Sequence, residues 1–505
     1  MKKLFLTALV LLLAASAGTY FTQPQAQSRV PVLHWITGTN PERVRDAVLF
    51  HDWLRENGHV TGDGRPIMEL RLDTANRNVQ KQIIQGVSGV GGDLMDLVGG
   101  GQLRYFHEMG LLEDVTEEAD RMGFDTSRTF DAVVPDITID GRQYMFPCNI
   151  SAHLLWTNKD TFARYNQPLP PRRWTFETFE EMGRRFVEAA NPPGEHQTVF
   201  YLSHLETRTV YRSLGLSAFN ETLTRCTFDD PRFAEALATL YRWTYDYGIL
   251  PSAADKESFS TEAGFGGAIV QLFNSGNYAM FPMGRYALVQ LREFGDLDLG
   301  LVEPPYGQFP NTRLMCRGAV IYAGGDHRDL AAYFLEFLAS ESYNMRVVEN
   351  ADALPPNPVY TRTEAFRRPP DPPEEWGCHE PFAWAAEPIA IGGVYSPFVS
   401  EQTVRRAEDD ALQVVMSELY SPEEAGRRAA ERVNDEIQRN LHENPKLQPR
   451  YEELLKRQRE IDALRAAGRP VPPDWIRNPF LKRYEQWNRS GRQSPPPEPP
   501  SGFAG

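Results

Sequence analysis

Cysteine is scarce: Cys148, Cys226, Cys316 and Cys378 are the four in a chain of 505 residues. They are widely spaced and include no Cys-x-x-Cys pair, which excludes a disulfide framework and a zinc site of the usual spacing. One bridge, for example between Cys316 and Cys378, stays open as an alternative to separate buried thiols. Basic residues are outnumbered, 53 Lys and Arg against 68 Asp and Glu, for a net charge of −15. Phosphate backbones are held by basic patches, so nucleic acid is not the expected partner. Catalytic signatures are missing as well: there is no Gly-x-Ser-x-Gly, His-Glu-x-x-His or P-loop. The histidines, His204 among them, show no ligand spacing, so they are read as structural or surface groups and no metal is expected. Beyond the first residues no apolar run approaches the length of a membrane span.

What is present is material for large cores. Hydrophobic residues make up 41% and aromatics 11%, which excludes a disordered chain, and the length predicts two or three domains. Lys2 and Lys3 precede an apolar run from Leu4 to Ala17, and Ala15-Ser16-Ala17 and Ala26-Gln27-Ser28 both offer small-x-small cleavage patterns. This predicts a secretory signal over 1–28 and an exported, periplasmic or secreted protein, with an uncleaved anchor as the alternative. No cysteine lies near these sites, so a lipid anchor is not expected.

Val32–Ile36, Met68–Leu72 and Leu94–Val98 read as strands, with helices predicted from Asn40-Pro41 and around Val79–Val87 between them. A βαβαβ order of this kind predicts a parallel sheet covered on both faces. No Gly-x-Gly-x-x-Gly follows the first strand, so a dinucleotide cofactor is not expected. Asp140-Gly141 is a hairpin turn, Tyr144–Phe146 a short strand stopped at Pro147, and Leu154–Trp156 a further apolar run. Between them a polar crossing at Asn149 and Ser151 takes the chain from one sheet to another. Thr175 is a helix cap with Trp174 and Phe179 as its hydrophobic staple, which makes Trp174 structural. Asp230-Pro231 is read as the start of a later helix and Asp326 as the cap of another.

Several of these stretches carry a resemblance. Asp140-Gly141-Arg142-Gln143-Tyr144-Met145-Phe146-Pro147, followed by Leu154-Leu155-Trp156-Thr157-Asn158-Lys159-Asp160-Thr161-Phe162, resembles the D-G-K-x-Y-G-x-P … L-Y-Y-N-K-D-x-F signature of extracellular solute-binding proteins of ABC importers. The subgroup is the carbohydrate-binding one that includes maltose-binding protein. Gly110-Leu111-Leu112-Glu113-Asp114-Val115 resembles its G-L-L-x-D-L, and Phe273 to Tyr286 resembles F-x-x-G-x-x-A-M-x-x-x-G-x-W, with Tyr286 at the tryptophan. Gly300 to Pro305, Cys316 to Ile321, Leu354-Pro355-Pro356 and Pro422 to Asn440 are similar to later family segments. The resemblance runs from about residue 30 to about 440.

It implies an α/β, two-lobed periplasmic-binding-protein-like fold of type II with a ligand cleft between the lobes. Lobe 1 is expected at 29–147 and 316–380, lobe 2 at 148–315 and 381–443, and a C-terminal extension, helical then proline-rich, at 444–505. Crossings are expected near Cys148–Ser151 and Arg313–Gly318, with a third later. Arg367 to Glu380 reads as an inserted loop. Ligands in such sheets sit beyond the carboxyl ends of the strands. That places Trp35, Thr37, Gly38, Gly100 and Gln102 near the cleft, although the glycines also suit plain strand-to-helix turns. Asn149 and Ser151 join them from the first crossing, and Gly284, Arg285 and Tyr286 from the second match. Arg317 and Gly318 belong to the other crossing, where Arg317 suits either a ligand clamp or an interlobe salt bridge. Tyr395 is a further aromatic candidate.

An aromatic plate takes the C–H face of a sugar ring while Arg, Asn, Asp or Gln groups take its hydroxyls. The implied function is therefore binding a sugar or oligosaccharide and delivering it to permease subunits in the membrane, as a monomer and without chemistry. Arg285 and Arg317 would also suit an acidic sugar. A secreted enzyme acting on glycans and a ligand-binding subunit of a membrane sensor are the alternatives.

Overall fold

β1 (Val32–Ile36) carries alternate core residues, and its neighbour β2 (Glu69–Asp73) runs parallel to it, with Val32 opposite Glu69 and Ile36 opposite Asp73. The computed structural model describes residues 30–489 apart from 41, 76–77, 90, 260–266, 296 and 370–374. The signal-like segment and the run of prolines after Ser494 lie outside the described residues. α1 (Glu42–Glu56) and α2 (Val79–Val87) flank β2, and β3 (Leu94–Val98) returns parallel to β1. α3 (Gly99–Glu108) starts directly at the carboxyl end of β3. The hairpin β4 (Thr138–Ile139) and β5 (Arg142–Gln143) turns at Asp140 with φ 51 and Gly141 with φ 80.

β6 (Phe146–Ala152) is longer than predicted and runs straight through Pro147. It pairs antiparallel with a later strand, β11, and the register shifts where Pro147 meets Gly318, between Arg317 and Gly318. Proline is tolerated at such an irregularity because its missing N–H interrupts no regular ladder bond. β7 (Leu154–Asn158) belongs to a second sheet, so the chain changes sheets at His153, just beyond the predicted Cys148–Ser151. α4 (Phe176–Ala190) begins as predicted, with Thr175 accepting from the Thr178 amide and the Trp174 and Phe179 rings 5.3 Å apart. β8 (Phe200–Leu202), α5 (Pro231–Tyr241, capped by Asp230), β9 (Tyr278–Met283) and β10 (Leu299–Val302) complete that lobe's framework.

β11 (Thr312–Ile321) takes the chain back to the first sheet, ahead of the predicted Arg313–Gly318. α6 (Arg328–Ala339) follows, and its cap position is His327, not Asp326. α7 (Glu341–Asn350) packs beside α1. After a short helix Glu380–Ala386 comes β12 (Ala390–Ile391), paired with Thr312 and Arg313 of β11. α8 (Glu401–Met416) and α9 (Pro422–Glu443) cover the second lobe. α10 (Gln448–Ala466) and α11 (Pro479–Arg489) form the extension.

The result is two α/β lobes. One is built on a six-stranded sheet, β12-β11-β3-β1-β2 with β6 also on β11. The other is built on a four-stranded sheet, β10-β7-β9-β8. Leu33, Trp35, Phe50 and Phe334 fill one core between the first sheet and its helices, and Phe179, Tyr201, Leu237 and Trp243 fill another in the second lobe. The four cysteines are free and buried, so Cys316 and Cys378 do not pair. No described helix is long and apolar enough to cross a membrane.

Candidate functional site

The carboxyl ends of β1 and β3, the crossing at His153 and the loop after β9 converge. Three sets of expected residues meet there. In the first, Asp96 on β3 collects Trp35 Nε1 at 2.8 Å, Thr37 Oγ1 at 2.5 Å and Arg317 Nη1 at 2.5 Å. Close by, Asn149 Nδ2 donates to Asp352 at 3.1 Å, and Asp352 and Asp46 both pair with the buried Arg43. Among the described residues Arg317 Nε and Nη2 are buried without a partner. Trp35 is fully buried and packs on Phe334, so it supports Asp96 and offers no face to a ligand, which corrects the expectation for it. Gly38, one residue beyond Thr37, has open space on the side where a Cβ would stand.

The second set lies at the first crossing. Ser151 Oγ is buried without a partner among the described residues and sits against Gly284, whose carbonyl accepts from Trp156 Nε1 at 3.2 Å. Tyr286 is half-buried, and its ring centroid lies 6.3 Å from that of His153. His153 Nε2 also lacks a partner among the described residues. Around them Arg313 pairs with Glu206, and His204 Nδ1 meets Ser203 Oγ at 3.0 Å. Burial, then the Arg313 charge, pushes His153 down to about 4; burial, then Lys256, does the same to His204. Both imidazoles are therefore neutral at pH 7. Burial alone would raise Glu206, but the charges of Arg313 and Arg208 hold its carboxyl below the ordinary range.

The third set lies where α3 begins. Tyr395 Oη donates to Asp136 at 2.7 Å and accepts from the Gly100 amide at 3.0 Å, with the Arg104 guanidinium 4.2 Å from its ring centre. Glu401, at the start of α8 in the other lobe, lies so close to Gly101 that a Cβ there would be 1.5 Å from Glu401 Oε2. Arg208 faces the same carboxylate at 3.7 Å and Glu408 at 3.4 Å. Only glycine lets the opposite lobe approach the first turn of α3 this closely, and a carboxylate is favoured at that positive helix end.

Besides Trp35, three expected residues are not brought to this surface. Arg285 is 1% exposed. It donates to the carbonyls of Val347 at 3.1 Å, Ala353 at 2.9 Å and Val348 at 2.7 Å, and to His379 Nδ1 at 2.9 Å, so none of its nitrogens is left for a ligand. Burial lowers its pKa to about 9, and it stays charged at neutral pH. Gly318 is walled in by Met145 and the Phe146 carbonyl. Gln102 turns back to accept from the Val98 amide at 2.8 Å. Conversely, His153, His204, Glu206, Arg208, Arg313 and Glu401 stand in the site without having been expected there. They come from separate stretches, and only the topology joins them. Among the described residues no group of side chains is arranged to hold a metal.

Residues 73–373 match the sequence profile described as bacterial extracellular solute-binding protein. The chain belongs to that family. Solved structures of similar fold include an ABC substrate-binding protein of Listeria monocytogenes in complex with cycloalternan, 20% identical with a TM-score of 0.64 over 80% of this chain and 98% of that one. An ABC transporter solute-binding protein of Thermotoga lettingae, bound with α-D-tagatose, is 17% identical with a TM-score of 0.65 over 81% and 100%. UgpB of Mycobacterium tuberculosis, in complex with glycerophosphocholine, is 14% identical with a TM-score of 0.64 over 81% and 99%. Among curated proteins none matches this chain. These solute-binding proteins share the two-lobed fold, and their known members are binding proteins of transporters.

Proposed function

We propose that this solute-binding protein takes an uncharged carbohydrate into the cleft between its lobes and presents it to the permease of an ABC importer. The observation that carries the reading is the crossing at His153. There a half-buried aromatic, Tyr286, stands beside two buried polar atoms without partners among the described residues, Ser151 Oγ and His153 Nε2, and beside the Arg313–Glu206 pair. A sugar supplies what such a group lacks: a C–H face for the ring and hydroxyls that both donate and accept. The cycloalternan and tagatose held by two solved relatives support the same ligand class.

The ligand is neutral because the cleft's charges are already matched. Arg285 is enclosed, Arg317 is bonded to Asp96, Arg313 to Glu206, and Arg208 faces Glu401 and Glu408. An anionic sugar would bring a charge that no cation among the described residues is left to match, and the Nε and Nη2 that Arg317 keeps free serve neutral hydroxyls. The ligand favours the closed form because only there do both lobes touch it. The protein works as an exported monomer, residues 1–28 being its secretory signal, and leaves its ligand chemically unchanged.

The test is a thermal-shift screen of residues 29–505 against neutral mono-, di- and oligosaccharides, polyols and uronic acids. A ligand at one hundred times its Kd adds about 2.7 kcal/mol of stability. The expected result is a neutral sugar that shifts the transition, is recovered intact, and loses its effect in Tyr286→Ala. A shift by uronic acids alone refutes the neutral ligand, and a sugar consumed with time refutes the binding role.

A further inference from the structure

We propose that the C-terminal extension is a strap that couples the two lobes and sets how far they open. The solved relatives are covered over 98–100% of their length yet account for only 80–81% of this chain. About a fifth of this chain therefore lies outside the shared fold, and the family resemblance in its sequence stops just before the extension.

The extension is fixed firmly to the lobe of the four-stranded sheet. Leu447, Tyr451 and Leu454 pack on its core, with the Tyr451 and Phe398 rings 5.0 Å apart. Gln458 Oε1 accepts from the amide and hydroxyl of Thr222 at 3.1 and 3.0 Å, and Arg465 pairs with Glu221 at 2.9 Å. Asn478 Nδ2 donates to Ser217 Oγ at 2.9 Å and to the Phe219 carbonyl at 2.8 Å.

From that base it grips two of the crossings. The loop between β10 and β11 places Phe309 under three aromatics of α11: Phe480 at 5.8 Å, Tyr484 at 5.5 Å and Trp487 at 5.2 Å. Ile391 of β12 joins the same cluster, and Arg483 Nη1 donates to the Ala390 carbonyl at 2.6 Å. It also reaches the other lobe. Arg450, near the start of α10, holds both oxygens of Asp140 at 2.7 and 3.0 Å. Asp140 is the turn of the β4–β5 hairpin, which is tied to α3 through Arg104 Nη2 and the Thr138 carbonyl at 3.2 Å. One end of the strap therefore bridges the lobes directly, and the other clamps the segments that bend. Opening must separate Arg450 from Asp140.

The experiment uses the full chain without ligand. Cysteines introduced at the exposed Glu117 and Glu188, one on each lobe, take spin labels, while the four native thiols are buried. Distances between the labels are read by pulsed dipolar spectroscopy. Arg450→Glu places like charges together, and the population of the longer, open distances is expected to rise about fivefold, the scale of an exposed ion pair. Arg450→Glu combined with Asp140→Arg is expected to restore the original distribution. A distribution unchanged in Arg450→Glu overturns the proposal. So does a double variant that stays as open as the single one, since the shift would then be independent of the pairing.

Discussion

Replacing Arg285 by methionine separates a structural role from a ligand-binding one. The guanidinium makes three hydrogen bonds to main-chain carbonyls, two of them at the end of α7, and a fourth to His379. The local backbone depends on it, because Ala351 and Ala353 both sit at positive φ, 57 and 69, in the bend that follows α7. Methionine replaces much of the volume and leaves the carbonyls stranded. Each buried acceptor without a donor costs about 1–3 kcal/mol. Relief of the buried cation offsets part of the loss, so about 3 kcal/mol in all is expected. Urea unfolding followed by tryptophan fluorescence reads this as a fall of about 1 M in midpoint. The midpoint is the quantity to compare, because a two-lobed chain need not unfold in one step. Sugar affinity measured on the folded variant is expected to stay within about twofold, which is about 0.4 kcal/mol. A variant with wild-type midpoint and abolished binding would refute the reasoning and return Arg285 to the cleft.

Stability is expected to fall on acidification through the histidines of the crossing. His153 and His204 drop from 6.5 to about 4 in the folded protein, so the unfolded chain takes up those protons first. Their contribution is full above about pH 6.5 and is lost towards pH 4, at up to about 1.4 kcal/mol per pH unit for each. Urea midpoints at pH 7 and pH 5 measure it, and His153→Gln should flatten the slope. Gly318→Ala places a methyl 2.5 Å from Met145 Cγ and 2.8 Å from the Phe146 carbonyl, and should lower stability by about 1–3 kcal/mol. Gly38→Ala meets nothing within 4 Å and should stay within about 0.5 kcal/mol, both being read by calorimetry. Burial pushes the Cys226 and Cys378 thiols up to about 12 and those of Cys148 and Cys316 higher still. A thiol reagent should therefore modify none of the four in the native protein and all four in urea.

Much of the fold is local chemistry and was legible from the sequence. Thr175 caps its helix as expected, and a helix starts at Asp230-Pro231 as expected with Asp230 as its cap, because a side-chain oxygen next to free amides needs only its own neighbours. Pro147 misled because a bulge excuses a proline, and the bulge is set by Gly318, far along the chain. The site was less legible for a related reason. Arg285 and Tyr286 are adjacent in one motif, yet they lie in a 3₁₀ turn that sends one side chain to α7 and the other to His153. Sequence adjacency says nothing of that divergence. Glu206 and Arg313 meet across 107 positions, and no local pattern marks either of them.

The pairing of β6 with β11 has a mechanical consequence. Leu314 faces Ala152 and Met315 faces Ser151 right up to the point where the chain changes sheets. Two strands laced by backbone hydrogen bonds bend together like a leaf spring. They do not slide past each other, because slippage by one residue would turn every side chain to the wrong face. The lobes can therefore tilt but not shear at this seam.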